Sequence, residues 1–423
     1  MKKNTKRSKR LDFAPDISEK TGQRSSGGER IILDGDDDLQ EKNPRYERAI
    51  LPVRIMKYLA LGMFFAFFLC MITVFSDEIT AENFRYVIKD LNLDLPTETD
   101  EFGQMYYVSQ AEHSFGMFRG DLVSLGGEKL EIISPGGDTV QSTSLKYLRP
   151  AMEISEKYIL VYDLSGNSYS VFNAFSPVYE EELDYPISCA AVSDTGLWLI
   201  VTSDAQYKSV VYIYDRSMER AYIYRTNDKY IFDAVLMGED FMLLTATAEG
   251  GFYKTELLMG NVRSESMTTV YSASGVYPVR CGVFNGGVAA VLEDRIAVID
   301  DGSVTEYSLK GNITAIDIGN GTVAAATENE GRFSIFVLCG DERYTADLEG
   351  KRTDISACPG GVLILSSGRV EYIDAVKDKK YYIDAFEGNA LGCISYSDSV
   401  ALVLTETRAY PVSLFEDLKK VEG

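Results

Sequence analysis

A repeat of about 36 to 46 residues constrains the fold of this chain more than any other feature of its sequence. The clearest unit, residues 187–229, contains four short runs that read ISCAAVS, LWLIVTS, VVYIYD and AYIYR. The first run is rich in small residues, the second is apolar, the third alternates in polarity and the fourth is more polar. Gly and Asp turns separate the runs, so each unit predicts four strands. The same order recurs in units 230–275, 276–311, 312–351 and 352–389, and more loosely in 113–149 and 150–186.

Four strands per repeat of this length predict an all-β fold, a β-propeller of four-stranded blades. A single four-stranded sheet cannot bury both faces, whereas sheets stacked around an axis bury both and leave only short edges. Residues 390–413 contain three strands and residues 104–110 contain a spare one, so the two segments together complete a blade. We predict eight blades within residues 104–415, with seven as the alternative if 113–149 forms no blade. A two-sheet sandwich is the second choice of architecture.

The cysteines support this register. Cys189, Cys281, Cys358 and Cys393 each fall in the first strand of a unit, where crowding at the axis favours small residues. Together with Cys339 they make an odd number, and none forms a CxxC pair. We interpret them as small buried side chains and not as disulfide partners or metal ligands. An exported chain without evident disulfides fits a bacterial envelope.

An apolar segment, residues 55–75, precedes the repeats and reads IMKYLALGMFFAFFLCMITVF, with Lys57 as its one charge. A helix of this length is about 30 Å long, which matches the core of one bilayer. Basic residues concentrate in front of the segment, so the positive-inside rule places the N-terminus in the cytoplasm and the C-terminal domain outside. A cleaved signal peptide and a buried core helix are the alternatives.

These features predict four regions and a charge asymmetry between them. Residues 1–57 carry a net charge of +4 and residues 58–423 carry −26, which together give the −22 of the whole chain. The acidic ectodomain is therefore not expected to bind nucleic acid, and it suits a cationic partner better. The regions are a disordered cytoplasmic tail at 1–50, a single transmembrane helix at 51–76, a juxtamembrane amphipathic helix at 77–96 and the propeller ectodomain at 104–415.

The strands that read YIYD, RIAVID and VEYID, with their Gly and Asp turns, resemble those of WD-repeat and quinoprotein-type propellers. The whole arrangement adds a basic tail, one membrane span and a DEITAENFRYVIKDL helix. It resembles an uncharacterised family of single-pass, membrane-anchored bacterial proteins of Firmicutes type, over roughly residues 45–415. The resemblance implies the architecture and no reaction, because one propeller fold serves many functions.

Residues with catalytic or metal-binding chemistry are sparse. His113 is the one histidine, which excludes a multi-histidine metal site, and we expect it to be exposed. Trp198, the one tryptophan, lies in an apolar second strand and is interpreted as a core residue. Residues 163–167 and 300–302 resemble calcium loops, but each lies between two strands and is better interpreted as a hairpin turn.

Carboxylates are so abundant that pairs such as Glu239 and Asp240 carry no weight on their own. The 27 tyrosines are interpreted as strand formers, with a carbohydrate- or peptide-binding face as the alternative. We therefore predict no catalytic residues, no metal site and no cofactor, and we leave the ligand-binding residues open.

The predicted function is a membrane-anchored, extracytoplasmic binding or scaffolding module of the bacterial envelope, not an enzyme. Its expected partners are the lipid bilayer, through residues 55–75, and an envelope protein or glycan. One alternative is a glycan-acting enzyme, which paired carboxylates of raised pKa in the axial channel would favour. Another is a sensor that couples ectodomain binding to the cytoplasmic tail.

Overall fold

The chain divides into two compact units, Met1–Leu93 and Asp94–Gly423. The computed structural model describes residues 44–74, 98–110, 113–350, 354–366, 369–383, 386–414 and 418–420. In the first unit the described residues form one helix, α1 (Pro44–Val74). In the second unit a short 3-10 helix (Thr99–Glu101) precedes a long series of strands.

Helix α1 begins at Pro44, a residue type that suits the first turn because its missing N–H has no partner there. The disordered tail was predicted to reach residue 50, so the helix begins earlier than expected. No helix in the described part of the chain is long and apolar enough to cross a membrane. The transmembrane helix at 51–76 therefore remains a prediction. The predicted helix at 77–96 lies outside the described residues.

The strands form eight sheets, which we number as blades 1 to 8 in chain order. Strand β1 (Met105–Tyr106) comes first in the chain and belongs to blade 8. Blade 1 consists of β2 (Ser114–Phe118), β3 (Asp121–Leu125), β4 (Lys129–Ile133) and β5 (Thr139–Ser144), and blade 2 consists of β6 (Pro150–Ile154), β7 (Ile159–Asp163), β8 (Ser168–Phe172) and β9 (Pro177–Glu182). Blade 3 consists of β10 (Cys189–Val192), β11 (Trp198–Thr202), β12 (Ser209–Tyr214) and β13 (Arg220–Thr226), and blade 4 consists of β14 (Tyr230–Met237), β15 (Asp240–Glu249), β16 (Phe252–Asn261) and β17 (Ser264–Ser274).

Blades 5 to 8 follow the same plan, with one strand added to blade 7. Blade 5 consists of β18 (Pro278–Phe284), β19 (Gly287–Leu292), β20 (Arg295–Asp300) and β21 (Ser303–Ser308), and blade 6 consists of β22 (Asn312–Gly319), β23 (Thr322–Asn329), β24 (Arg332–Cys339) and β25 (Glu342–Leu348). Blade 7 consists of β26 (Asp354–Cys358), β27 (Gly361–Ser366), β28 (Arg369–Asp374) and β29 (Lys379–Ile383), with β33 (Leu418–Lys420) added. Blade 8 consists of β30 (Gly392–Ser395), β31 (Val400–Leu404) and β32 (Arg408–Ser413), together with β1.

Each blade is an antiparallel meander, and the eight blades form an all-β propeller. The prediction of eight four-stranded blades is confirmed, and the seven-bladed and sandwich alternatives are wrong. Blade 8 is composite as expected, because β1 pairs with β32 through Met105↔Ala409 and Tyr106↔Arg408. The first strand of the domain thus completes its last blade and closes the ring.

The core lies between blades. The second strands β3, β7, β11, β19, β27 and β31 are buried along their whole length, as expected for strands covered on both faces. Each hydrophobic cluster joins residues of two neighbouring blades, such as Val235 and Leu244 of blade 4 with Cys281 and Val288 of blade 5. Blades are therefore held together by side-chain packing, whereas each sheet is held by its own hydrogen bonds.

Crowding near the axis explains the small residues of the innermost strands. A Cβ added at Gly282 in β18 would lie 2.8 Å from Ile318 Cγ2 in β22, closer than packed carbon atoms approach. Four cysteines share this environment and are buried and free: Cys189, Cys281, Cys358 and Cys393. The interpretation as small buried residues is confirmed for these four, whereas Cys339, at the end of β24, is only partly buried.

Strand β33 was not predicted. It pairs with the outer edge of blade 7 through Tyr381↔Lys420 and Ile383↔Leu418, so this sheet has five strands. The outer edge of a blade in this protein can therefore receive an added strand.

Candidate functional site: the axial channel

A cavity of about 850 Å³ lies at the propeller axis. Its lining includes Ser114, Pro150, Asp354 and Gly392, which stand at the beginning of their innermost strands. We call the end of the propeller at which the innermost strands begin the mouth end, and the opposite end the far end. The cavity lies toward the mouth end.

Five charged residues lie around this channel, each on a different innermost strand, and we call them the channel cluster. Arg280 of β18, Asp317 of β22 and Asp354 of β26 line the cavity. Glu153 of β6 and Asp233 of β14 are close enough to Arg280 to affect its pKa. Glu153, Asp233 and Asp317 therefore lie close to the one guanidinium, and Asp354 lies near Asp317.

The three aspartates connect neighbouring blades. The Cys281 N–H donates to Asp233 Oδ2 at 2.7 Å, and the Ala357 N–H donates to Asp317 Oδ2 at 2.8 Å. The Cys393 N–H donates to Asp354 Oδ2 at 3.3 Å. In each case the donor lies on the innermost strand of the next blade. An innermost strand has no neighbouring strand on the side that faces the axis, so its main-chain N–H groups there need other acceptors. The three carboxylates accept hydrogen bonds from some of these N–H groups.

We expect Asp317→Ala to lower the free energy of unfolding by about 1.5 kcal/mol, because it leaves the Ala357 N–H without its acceptor. Asp317→Asn keeps one carbonyl oxygen and should recover part of the loss. The measurement is urea unfolding of the full chain, with the exposed Glu342→Ala in the same blade as the control. A loss no larger than that of the control would show that the bridge between blades contributes nothing.

Glu153 differs from the aspartates, because no main-chain N–H in the described part of the chain donates to its carboxylate. Burial raises the pKa of Glu153 to about 7; Arg280 opposes this effect, and Asp233 and Asp317 add to it. Burial likewise raises the pKa of Asp354 to about 6 and raises that of Asp233. Burial lowers the pKa of Arg280, but the surrounding carboxylates outweigh it and the net shift is upward.

The channel therefore holds carboxylates of raised pKa, the feature that would favour a glycan-acting enzyme. Sequence reasoning assigned none of these residues to a site, because Asp233, Asp317 and Asp354 stand in runs interpreted as strand cores, FDAVLM, ITAIDI and DISAC. A single acidic residue inside the first strand of several units was the signal that could have identified them.

His113 is not exposed as predicted. Its ring packs against Tyr107 and Phe115, and its Nε2 lies 2.6 Å from Ser124 Oγ. Burial lowers its pKa, and the side chain lines the axial cavity. The expectation failed because His113 lies at the wall of the channel, where Gln110 also lines the cavity.

The sequence matches a family of unknown function, DUF5711, over residues 102–410. The chain belongs to this family. The match covers almost the whole propeller. No curated protein matches the sequence.

Solved structures with similarity to this DUF5711 protein include two propellers. The Neurospora crassa Pan2 WD40 domain shares 10% identity, with a TM-score of 0.41 and coverage of 63% of this chain and 89% of that one. Citrobacter koseri AztD shares 10% identity, with a TM-score of 0.45 and coverage of 66% and 84%. The fold assignment itself rests on the strand order of the eight sheets.

The two loops that resemble calcium sites are hairpin turns in this family member. One connects β7 to β8 and the other connects β20 to β21. In the second, Asp301 and Gly302 have φ of 43° and 77°, the left-handed conformation of a tight hairpin turn. Within the described residues, no group of three or more His, Cys, Asp or Glu could hold a metal ion.

Trp198 is a core residue, as predicted, and has no exposed surface. Its ring stacks on Tyr214 with centroids 5.3 Å apart. Tyr214 and Tyr169 both donate to Glu181 Oε2, at 2.7 and 2.5 Å, and Arg220 donates to Glu181 Oε1 at 2.7 Å. Burial would raise the pKa of Glu181, but these donors lower it. The group connects blades 2 and 3 and leaves little capacity for a ligand.

Proposed function

We propose that this protein is a binding or scaffolding module whose partner contacts the mouth end of the propeller. The observation that supports this most is the cavity of about 850 Å³ with five charged side chains around it. Concave sites with a few convergent polar groups are the usual places for ligands. Eight-bladed closure also provides a rigid frame for such a site.

Binding is favoured over catalysis because of how the carboxylates are used. Asp233, Asp317 and Asp354 each accept a hydrogen bond from the next blade. A two-carboxylate hydrolase needs two such groups free to act on one bond. In the channel cluster, Glu153 is the carboxylate without such a main-chain donor.

The test is site-specific photo-cross-linking in the full chain. A benzophenone side chain at Val279, exposed at the mouth end, should cross-link a partner in envelope extracts. The same group at Val376, exposed at the far end, is the matched control and should not. Equal products at both positions, or none at Val279, would contradict a partner at the mouth end.

The proposal includes membrane anchoring through the apolar segment at residues 55–75, as the sequence predicts, with the propeller outside the cytoplasm in the cell envelope. Residues 58–75 contain no charge, and basic residues precede them. Between residues 55 and 70 of α1 the apolar side chains are exposed, including Met63, Phe65 and Phe68 at 67%, 63% and 51%. A helix with such a surface needs lipid or a partner to cover it.

Two measurements test the anchor and its orientation. The full chain should stay in membranes after alkaline extraction, whereas Leu61→Asp/Phe65→Asp should be released. A protease added to intact wall-less cells should cleave beyond residue 80. Protection of that region would contradict the proposed orientation. The sensor alternative depends on the tail at 1–50, of which residues 1–43 lie outside the described residues, and remains a prediction.

The second candidate is a glycan-acting enzyme, which one specific observation favours. Glu153 and Asp354, with pKa values of about 7 and about 6, are suited to carry a proton near neutral pH. In this case the full chain should hydrolyse purified envelope glycans, and Glu153→Gln should abolish the activity. Absence of hydrolysis by the unsubstituted chain would exclude this candidate.

A further inference from the structure

We propose that the mouth end binds a polypeptide segment that carries Lys or Arg. In this arrangement, aromatic side chains of blades 4 and 5 pack against the segment, and the carboxylates of the channel cluster receive its cationic group. The inference rests on the proposed binding function and adds the chemical class of the partner.

Five exposed aromatic residues form what we call the mouth patch: Tyr230, Phe232, Phe252, Tyr253 and Tyr277. The first two begin β14, the next two begin β16, and the last precedes β18, so all lie at the mouth end. The rings of Tyr253 and Tyr277 have centroids 4.2 Å apart. Clustered exposed aromatic side chains are typical of protein–protein interfaces.

Blade 4 projects from the mouth end. Strands β15 and β16 have 10 residues each and β17 has 11, whereas strands of the other blades are shorter. Tyr230, the first residue of β14, already pairs with Ala246. The hairpin that follows Ala246 therefore stands beyond the innermost strand, and it presents Phe252 with 71% of its surface exposed.

Two β-bulges connect the mouth patch to the channel. The register shifts between Ile231 and Asp233, which leaves Phe232 unpaired and exposed directly before a channel carboxylate. The register shifts again between Pro278 and Arg280 in β18. Bulges redirect side chains and are common beside binding sites. A segment lying on the patch would therefore pass directly over the channel cluster.

Charge selects a cationic partner. The channel cluster contains four carboxyl groups and one guanidinium, and residues 58–423 carry a net charge of −26. Field lines focus in such a confined acidic space and attract cations. The patch itself tolerates a cation, because Lys208 Nζ lies 4.8 Å from the centroid of the Tyr230 ring.

The far end offers no comparable surface among the described residues. Its exposed large apolar side chains are Val140, Phe175, Val283, Val304 and Val376, and they include a single aromatic ring. The combination of clustered rings and an acidic channel thus occurs at the mouth end. A neutral glycan would also stack on aromatic rings, but its binding would not depend on the channel charges. The experiment therefore distinguishes a glycan from a cationic peptide.

The test is selection of a displayed library of random nine-residue peptides on the full chain, followed by affinity measurement with the winning peptide. The enriched peptides should carry Lys or Arg next to an apolar residue. We expect the double variants Phe252→Ala/Tyr253→Ala and Glu153→Gln/Asp354→Asn each to lower the affinity for that peptide by at least about tenfold. Val376→Ala at the far end is the matched control and should bind normally. Thermal unfolding of each variant shows that it is folded.

Enrichment of peptides without basic residues would overturn the proposal, as would no enrichment or equal binding by the patch variant. Binding of an oligosaccharide array that is lost in the patch variant and kept in Glu153→Gln/Asp354→Asn would assign the surface to glycans instead. The cationic-peptide inference can fail while the proposed binding function holds, because cross-linking from Val279 would then still capture a partner of different chemistry.

Discussion

Replacing both Met105 and Tyr107 by alanine is expected to lower the free energy of unfolding by about 5 kcal/mol. These residues lie where blade 8 packs against blade 1 and closes the ring. Their exposed surfaces are 1% and 5%, and they pack with Leu122 of blade 1 and Leu402 of blade 8. The Tyr107 hydroxyl also shares its one hydrogen between the carbonyl oxygens of Thr405 and Arg408, which lie 2.7 and 2.8 Å away.

The single tryptophan makes this experiment informative. Trp198 lies in β11 of blade 3, far along the chain from the closure. If the blades unfold as one cooperative unit, urea unfolding followed by Trp198 fluorescence and by circular dichroism should shift together in the double variant. Tyr106→Ala, in the same strand but 54% exposed, is the matched control and should have a small effect. An unchanged Trp198 transition would show that ring closure is a local event.

The blades could be predicted from the sequence because their signal is local. In blade 3 the run from Trp198 to Thr202 is wholly buried, and the run from Arg220 to Thr226 alternates between exposed and covered residues. This difference repeats from unit to unit, so boundaries and the composite blade followed from the period alone.

The site could not be predicted in the same way, because it depends on radial distances. Asp317 and the Ala357 N–H are 40 residues apart and meet because two innermost strands approach the axis together. Strand β33 was missed for a related reason. Its three residues pair through the main chain with β29, which leaves no periodic pattern of side chains to detect.

The second large effect concerns pH. A carboxyl group whose pKa is higher in the folded protein than in the unfolded chain binds its proton more tightly when folded. Its contribution to stability is therefore present at low pH and is lost as pH rises from the unfolded to the folded value. For Glu153 this interval runs from 4.5 to about 7, and for Asp354 from 3.8 to about 6. Both groups should make the propeller less stable toward neutral pH.

We expect Glu153→Gln to flatten this dependence and to stabilise the protein by about 2 kcal/mol at pH 8, with little effect at pH 4.5. The full difference between 4.5 and about 7 corresponds to about 3 kcal/mol, and solvent in the channel reduces it because the side chain is half-buried. The measurement is urea unfolding across this pH range, with the exposed Glu219→Gln as the control. Parallel curves for Glu153→Gln and the unsubstituted chain would contradict the assignment.

The same argument connects stability to binding. Carboxylates that weaken the fold at neutral pH lie at a position where a bound cation would neutralise them, which is typical of functional sites. A cationic peptide bound at the mouth end should therefore raise the unfolding midpoint more at pH 8 than at pH 5, because its gain is largest where the channel carboxyls are ionised. In Glu153→Gln this pH difference should shrink. An equal gain at both pH values would separate the peptide from the channel cluster.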